Sequence, residues 1–490
     1  MSTTVPPLDI ANVQGDILAG LPKKVQHYLL FQIDDDVQAF RQRLKLLIPL
    51  ITTTPQVQDD RAKIAAAKKA ATEQGKPAPL VKLSGINISF SHSGLVKLGI
   101  TDDLGDAAFA KGQFADSATL ADPGSTDANG NFVPNWIPAF KNPIHGVVLV
   151  SGDSELTVTA TQAIVNGIFN IGAHNATMHE VLTIKGQVRP KDEKGHEHFG
   201  FLDGISQPAV KDFDTKPNPG QETVRQGVIL CGRENDIVAG SNPPVPVVRP
   251  AWALDGSFLA LRYLFQLVPE FNTFLKDNAI KASGLTPEQG SELLGARLVG
   301  RWKSGAPIDL FPLQDNPTAG VDAQQNNKFR YDFPDDPHTQ DRCPFAAHTR
   351  KTNPRADLED LGISTENRRI IRRGVQFGPE VTPDEAKSGK TKLGRGLIFA
   401  AYQSNIVNGF QFIQQSWANN TGFPIQKNPI VPGFDPIIGQ QSNLAPRTLS
   451  GTDPNNQGAN LSLPTEWVVP KGGEYFFAPS IPALKSKFAL

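Results

Sequence analysis

The run Glu197-His198-Phe199-Gly200-Phe201-Leu202-Asp203-Gly204-Ile205-Ser206-Gln207-Pro208 sets one carboxylate, Asp203, between glycines in an apolar stretch. Such an Asp has the chemistry of an acid–base group that takes a proton from one atom and returns it to another. Taken alone, Asp-Gly is ordinary turn chemistry. His348 is a second candidate, in Cys343-Pro344-Phe345-Ala346-Ala347-His348-Thr349-Arg350-Lys351; a neutral imidazole is a good metal ligand, although any one of nine His is commonly structural. Arg368, Arg369, Arg372 and Arg373 crowd one short segment ahead of Gly374. They fit a solvated strand edge, and equally a permanently charged donor for negative charge that develops on oxygen. Leu397 and Phe399 lie two apart in a strand-length apolar run and so share one face. Asp435, in Gly433-Phe434-Asp435-Pro436, is either turn punctuation or a carboxylate that orients an imidazole.

In order along the chain, these segments resemble the fungal dye-decolorizing peroxidases. The resemblance runs from Asn12-Val13-Gln14-Gly15-Asp16-Ile17 through Gly200-x-x-Asp203-Gly204 and the Cys343-Pro344-Phe345-x-x-His348-x-Arg350-Lys351-x-x-Pro354-Arg355 segment to Asp435. It implies an enzyme with haem b, in which His348 is the axial ligand and Asp435 the carboxylate behind it. It further implies that Asp203 is the proton shuttle, that Arg372 rather than Arg373 stabilises charge, and that Leu397 and Phe399 shape the peroxide side. Arg350 is expected to contact the cofactor. Cys343 competes as a soft ligand, but thiolate ligation belongs to monooxygenase-type oxygen chemistry. Trp417 matches the family's oxidisable tryptophan, and the polar Asn419-Asn420 end of its segment predicts an exposed ring. Phe377 stands where some relatives carry a tyrosine able to take part in radical transfer. The implied reaction uses hydrogen peroxide to oxidise bulky dyes and phenolic or other aromatic donors by one-electron steps.

Two other functions compete. A haem carrier or iron-release protein would share the ligand but has no use for an acid–base residue beside a cation. A metal hydrolase would use His196-x-His198, but no third ligand completes a zinc set in the sequence. The family resemblance favours secretion; the opening residues Met1 to Asp9 carry neither a basic nor an apolar signal region, so a cytoplasmic location is the alternative.

The elements that must position these groups are read from composition and pattern. At 490 residues, two domains are expected. A net charge of −1 gives no electrostatic case for nucleic acid or an anionic membrane, and no run is apolar enough to span a bilayer. Two cysteines exclude a disulfide framework. With two methionines, and 28 Phe beside five Trp and five Tyr, the chain is poor in readily oxidised side chains, which suits a protein that meets peroxide.

Residues 27–44 run from an apolar strand through acidic capping residues into an amphipathic helix, and 262–276 repeat the pattern. The strands at 144–150 and 397–403, each followed by a helix, form a second echo. The pattern predicts an α+β fold of two ferredoxin-like units, each an antiparallel sheet covered by helices, with haem in the second. The proline-rich stretch 241–250 is expected to separate units at 8–240 and 251–480. Residues 59–73 are expected to form an exposed inserted helix. The polar loops near 304–328 and 384–394 are expected to carry only variation.

Overall fold

The computed structural model describes residues 6–282, 284–333, 339–441 and 446–490. Met1 and the start of the opening segment lie outside them. The first half supplies β1 (Val25–Ile33), α1 (Val37–Leu47), α2 (Thr54–Glu73), β2 (Ser84–Ser91), β3 (Gly146–Gly152), α3 (Glu155–Phe169) and β4 (Met178–Gln187). The second supplies β5 (Ser257–Gln266), α4 (Val268–Asp277), α5 (Pro287–Val299), α6 (His348–Thr352), β6 (Ile371–Arg372), β7 (Val375–Phe377), β8 (Gly396–Gln403) and β9 (Val468–Ala478).

The helices start where capping chemistry places them. The Asp36 carboxylate accepts from the Ala39 N–H at 2.9 Å and α1 then buries Phe40, Leu44 and Leu47 on one face. Pro269 opens α4 in the same position of the repeat. The helix at 54–73 starts earlier than expected, with a Thr53/Gln56 capping box, and buries Val57 and Ala71 while most of it stays in water.

All the long strands join one sheet, in the order β6-β8-β5-β9-β2-β3-β1-β4, with β7 also on β8. Every pairing in it is antiparallel. The halves meet where Phe476 and Phe477 of β9 pair with Ser91 and Phe90 of β2. At the far edges β4 reaches β7 by packing: a Cβ at Gly186 would lie 2.3 Å from Val375 Cγ1, so only glycine permits this approach. Along β1 the side chains alternate between two cores. Tyr28 and Leu30 face an inner core with Leu149, Leu261, Ile398 and Phe476, while Leu29 and Phe31 face the helices with Phe40 and Phe169. The two ferredoxin-like units therefore share their inner layer. A third core, with Phe199, Phe271, Leu293 and Trp467, packs α4 and α5 against the second half, beside the site.

The helix expected after β8 departs from α geometry: residues 407–411 and 413–418 wind as π-helical turns. Such turns are frequent at functional sites, and they change which side chains share a face.

Candidate active site

A cavity of about 460 Å³ opens in the second half, its wall including Asp203, Arg372, Leu397, Phe399, His348 and Ile438. The loop carrying Asp203 is organised by Glu197, whose carboxylate accepts from the N–H groups of Phe199 and Phe201 at 2.9 Å each and from Gln266 Nε2. Burial raises the Glu197 pKa, partly offset by these donors.

Asp203 Oδ1 lies 2.8 Å from Arg372 NH1 and 2.6 Å from the Gly204 N–H. The 34% of its side chain that is open faces the cavity wall's interior. Burial alone would raise the Asp203 pKa, but the Arg372 guanidinium and the Gly204 N–H outweigh it and hold the carboxyl below its ordinary range. Gln207, four residues on, grips the main chain of Arg372 in both directions: its Oε1 accepts from the Arg372 N–H and its Nε2 donates to the Arg372 carbonyl, each at 3.0 Å. The side-chain amide thus caps the outer edge of β6 as a neighbouring strand would, while Arg372 pairs with Ala401 of β8 on the other side. One loop fixes the cation at its guanidinium and at its backbone.

His348 begins α6. Its Nδ1 is 2.8 Å from Asp435 Oδ2, and Asp435 Oδ1 accepts from the N–H groups of Ile437 and Ile438 at 2.8 and 2.9 Å. Burial opposes the charge on both partners, yet their mutual attraction lowers the Asp435 pKa and raises that of His348. An ionised carboxylate only accepts, so the proton sits on Nδ1, and Nε2 has no hydrogen-bond partner among the described residues. Leu397 and Phe399 lie on one face of β8, in the cavity wall, as their spacing predicts.

Two expectations fail. Arg350 is fully buried away from the cavity wall, with Nε and NH2 on Asp357 at 2.7 and 2.8 Å and NH1 on the Cys343 carbonyl at 2.7 Å. Two residues along a helix turn a side chain about 200° from His348, and that geometry sends Arg350 to the opposite side. Trp417 is 3% exposed rather than at the surface. Its ring stacks on Phe423 at 5.2 Å and 9° and meets Phe412 edge-on at 5.6 Å. The π-helical winding and the return of the chain through Phe423 enclose it, and Phe410 lines the cavity instead. The hydrolase reading also loses its ligand, because His198 Nε2 is hydrogen-bonded to the Phe377 carbonyl at 2.8 Å and burial pushes its pKa down to about 4.

The loop 304–328, expected to be inert, contributes Asn327. Its Oδ1 accepts from Ser206 Oγ at 2.7 Å and from Arg355 NH2 at 2.5 Å, and Arg301 NH2 approaches at 3.5 Å. Arg301 and Arg355 lie 5.2 and 4.1 Å from the Phe329 ring, and neither forms an ion pair among the described residues. Burial lowers the pKa of both, that of Arg301 to about 9. The Nε atoms of Arg355 and Arg369 are buried in the wall without hydrogen-bond partners among the described residues. Haem b is an apolar macrocycle with two carboxylates, held by a neutral imidazole. The cavity meets each need, with its apolar lining, an imidazole with a free Nε2, and in Arg301 and Arg355 cationic donors that lack an anion among the described residues.

Family models match over residues 12–190, described as the DyP dimeric alpha+beta barrel domain, and over 247–424, described as the Dyp-type peroxidase C-terminal region. The chain is 42% identical to dye-decolorizing peroxidase AauDyP1 of Auricularia auricula-judae, over 98% of this chain and 87% of that one. The chain belongs to the dye-decolorizing peroxidase family. Among solved structures, an ancestral D-type dye-decolorizing peroxidase is 61% identical with a TM-score of 0.90. A variant of the dye-decolorizing peroxidase of Pleurotus ostreatus is 50% identical with a TM-score of 0.92; each comparison covers 99% of this chain and 100% of the other. Dye-decolorizing peroxidases are haem b enzymes, and this chain is a haem peroxidase. Among the described residues no helix is long and apolar enough to cross a membrane.

Proposed function

We propose that His348 holds the haem iron through Nε2, with Asp435 fixing the ring, and that Asp203 and Arg372 activate peroxide on the cavity's other working surface. The observation that carries this reading is one cavity walled by both the 2.8 Å Asp203–Arg372 pair and His348, itself 2.8 Å from Asp435. Bound haem supplies the iron that receives peroxide and the redox capacity to oxidise two donor molecules in succession. Asp203, ionised by its neighbours, takes the proton from the near peroxide oxygen and delivers it to the far one. Arg372 stabilises negative charge on the departing oxygen, which leaves as water. Leu397 and Phe399 keep this side apolar and narrow. A carrier or iron-release protein needs neither Asp203 nor Arg372.

The donors in this reading are bulky dyes and phenols. The solved complex of a 44% identical relative with 2,6-dimethoxyphenol supports the phenolic class. Trp417 serves as an internal relay for donors too large to enter, since burial does not remove the ring's redox chemistry. Export from the cell and a division into units at 8–240 and 251–480 belong to the same proposal; the fungal relatives support the first and the proline-rich 241–250 stretch the second. Purified chain reconstituted with haem should develop a Soret band and oxidise an anthraquinone dye only when peroxide is added. A stable Soret band with no peroxide-dependent turnover would return the carrier reading.

A further inference from the structure

We infer that Tyr475 is a redox-active tyrosine, able to give one electron toward the haem cavity while its phenolic proton passes to Asp116. Tyr475 lies on β9 and is wholly buried. Its hydroxyl donates to Asp116 Oδ2 at 2.8 Å, and Asp116 is itself 1% exposed. A phenol loses an electron readily only if its proton has somewhere to go, because the protonated radical is a very strong acid. A carboxylate at hydrogen-bond distance provides that acceptor.

The ring also lies on a path from the cavity. Phe399 and Phe410 both line the wall, with ring centroids 5.8 Å apart, and Phe410 is 6.1 Å from Tyr475. The acceptor is held in place from two sides. Gln411 Nε2, next to Phe410 in the π-helical turn, donates to Asp116 Oδ2 at 2.8 Å. Lys111, with 44% of its side chain exposed, brings Nζ to 3.3 Å from Asp116 Oδ1 and so ties the acceptor to solvent.

The other tyrosines lack one or both features. Tyr331 lines the cavity, but among the described residues its hydroxyl meets only Thr349 Oγ1, at 3.4 Å, which is no base. Tyr28 donates to the amide oxygen of Gln26. Tyr402 has a carboxylate, Asp16, at 3.1 Å, yet its side chain faces the inner core, away from the wall that Leu397 and Phe399 form. Burial and the Asp116 charge push the Tyr475 hydroxyl well above its ordinary pKa, so it stays protonated at rest and its electron and proton must leave together.

In the step itself, the Tyr475 O–H bond breaks and a neutral phenoxyl radical and a protonated Asp116 form. The oxidising equivalent comes from the peroxide reaction and is reduced by one electron. A donor electron, with the proton returned from Asp116, restores the tyrosine. With Phe377 in place of a tyrosine, this gives the chain a place to hold an oxidising equivalent when no donor is near.

The inference rests on the haem reading above. The test is freeze-quenched electron paramagnetic resonance of the haem-loaded enzyme after one equivalent of peroxide without donor. A tyrosyl signal is expected that narrows on ring deuteration of tyrosine and shows an exchangeable deuteron, from Asp116, in D2O. Tyr475→Phe should lose most of it. Asp116→Asn, which keeps the phenol and removes the base, should lose it as well, and Asp116→Glu should recover it. An undiminished tyrosyl signal in folded Tyr475→Phe overturns the inference. So does a wild-type radical with no exchangeable coupling, a measurement that holds even if the variants do not fold. Wild-type enzyme that binds haem but fails to react with peroxide would instead defeat the functional reading.

Discussion

Asp203→Asn isolates proton transfer from everything else the site does. The amide matches the carboxylate in shape, keeps an oxygen for the Gly204 N–H at 2.6 Å and for Arg372 at 2.8 Å, and leaves His348 and Asp435 untouched. What it removes is the ability to accept a proton. General acid–base contributions run to about 10²–10⁴-fold, or roughly 2.7–5.4 kcal/mol of barrier. The rate of the peroxide-dependent change in Soret absorbance, measured by stopped flow at matched haem content, should fall within that range while haem remains bound. The pH dependence of the wild-type rate carries a second signature. Burial acts to raise the Asp203 pKa and Arg372 with the Gly204 N–H more than reverses it, so the base stays ionised into acid below the ordinary Asp range. The rate should hold as the pH falls toward that depressed value and drop only on passing through it. A loss smaller than about tenfold in Asp203→Asn would refute the assignment and move the proton transfer to another group.

Four further outcomes are expected. His348→Ala should abolish the Soret band on haem addition, and retained haem with an unchanged ferric spectrum would remove His348 as the ligand. Gln207→Leu leaves the Arg372 N–H and carbonyl without their 3.0 Å partners, so peroxide activation should slow by about tenfold with haem retained; an unchanged rate would mean that β6 holds Arg372 unaided. Arg350→Met breaks a buried pair worth about 3–5 kcal/mol when one partner is removed, partly offset because Lys427 Nζ remains 2.7 Å from Asp357. The thermal midpoint should fall with haem stoichiometry unchanged in the folded fraction, and selective haem loss would restore Arg350 as a cofactor contact. Trp417→Ser should lose most turnover of large anthraquinone dyes while small phenols are still oxidised, a split that equal losses on both would contradict.

What the sequence made legible was chemistry confined to short segments. Asp203, His348 and Asp435 were picked out by the family resemblance of the short runs that hold them, since each alone equally fits a turn or a structural role, and the strand period alone put Leu397 and Phe399 on one face. The repeat of strand and helix revealed the two units because each half follows an apolar strand with an amphipathic helix that buries one face. Direction was harder to read than location. Arg350 shares a motif with His348, but a helix turns neighbours away from one another. The exposure of Trp417 was read from the polar Asn419-Asn420 end of its segment, and the π-helical turn with the return of the chain through Phe423 encloses the ring instead. Asn327 and Arg301 gave no signal, since a polar loop looks the same whether its side chains face water or a cavity. Arg355 had one available clue, its place at the end of the His348 segment, directly after Pro354.

The grip of a single loop on Arg372 has a consequence for motion. Asp203 and Gln207 are four residues apart on one stretch of chain, and between them they hold the guanidinium and both polar groups of its peptide backbone. When that stretch shifts, the arginine is carried with it, so the two groups are displaced in concert and their mutual spacing varies far less than either position. The tolerance demanded of the rest of the protein is correspondingly loose. Thermal wandering of the loop changes how far the pair stands from a bound peroxide, and leaves the alignment of base and cation intact.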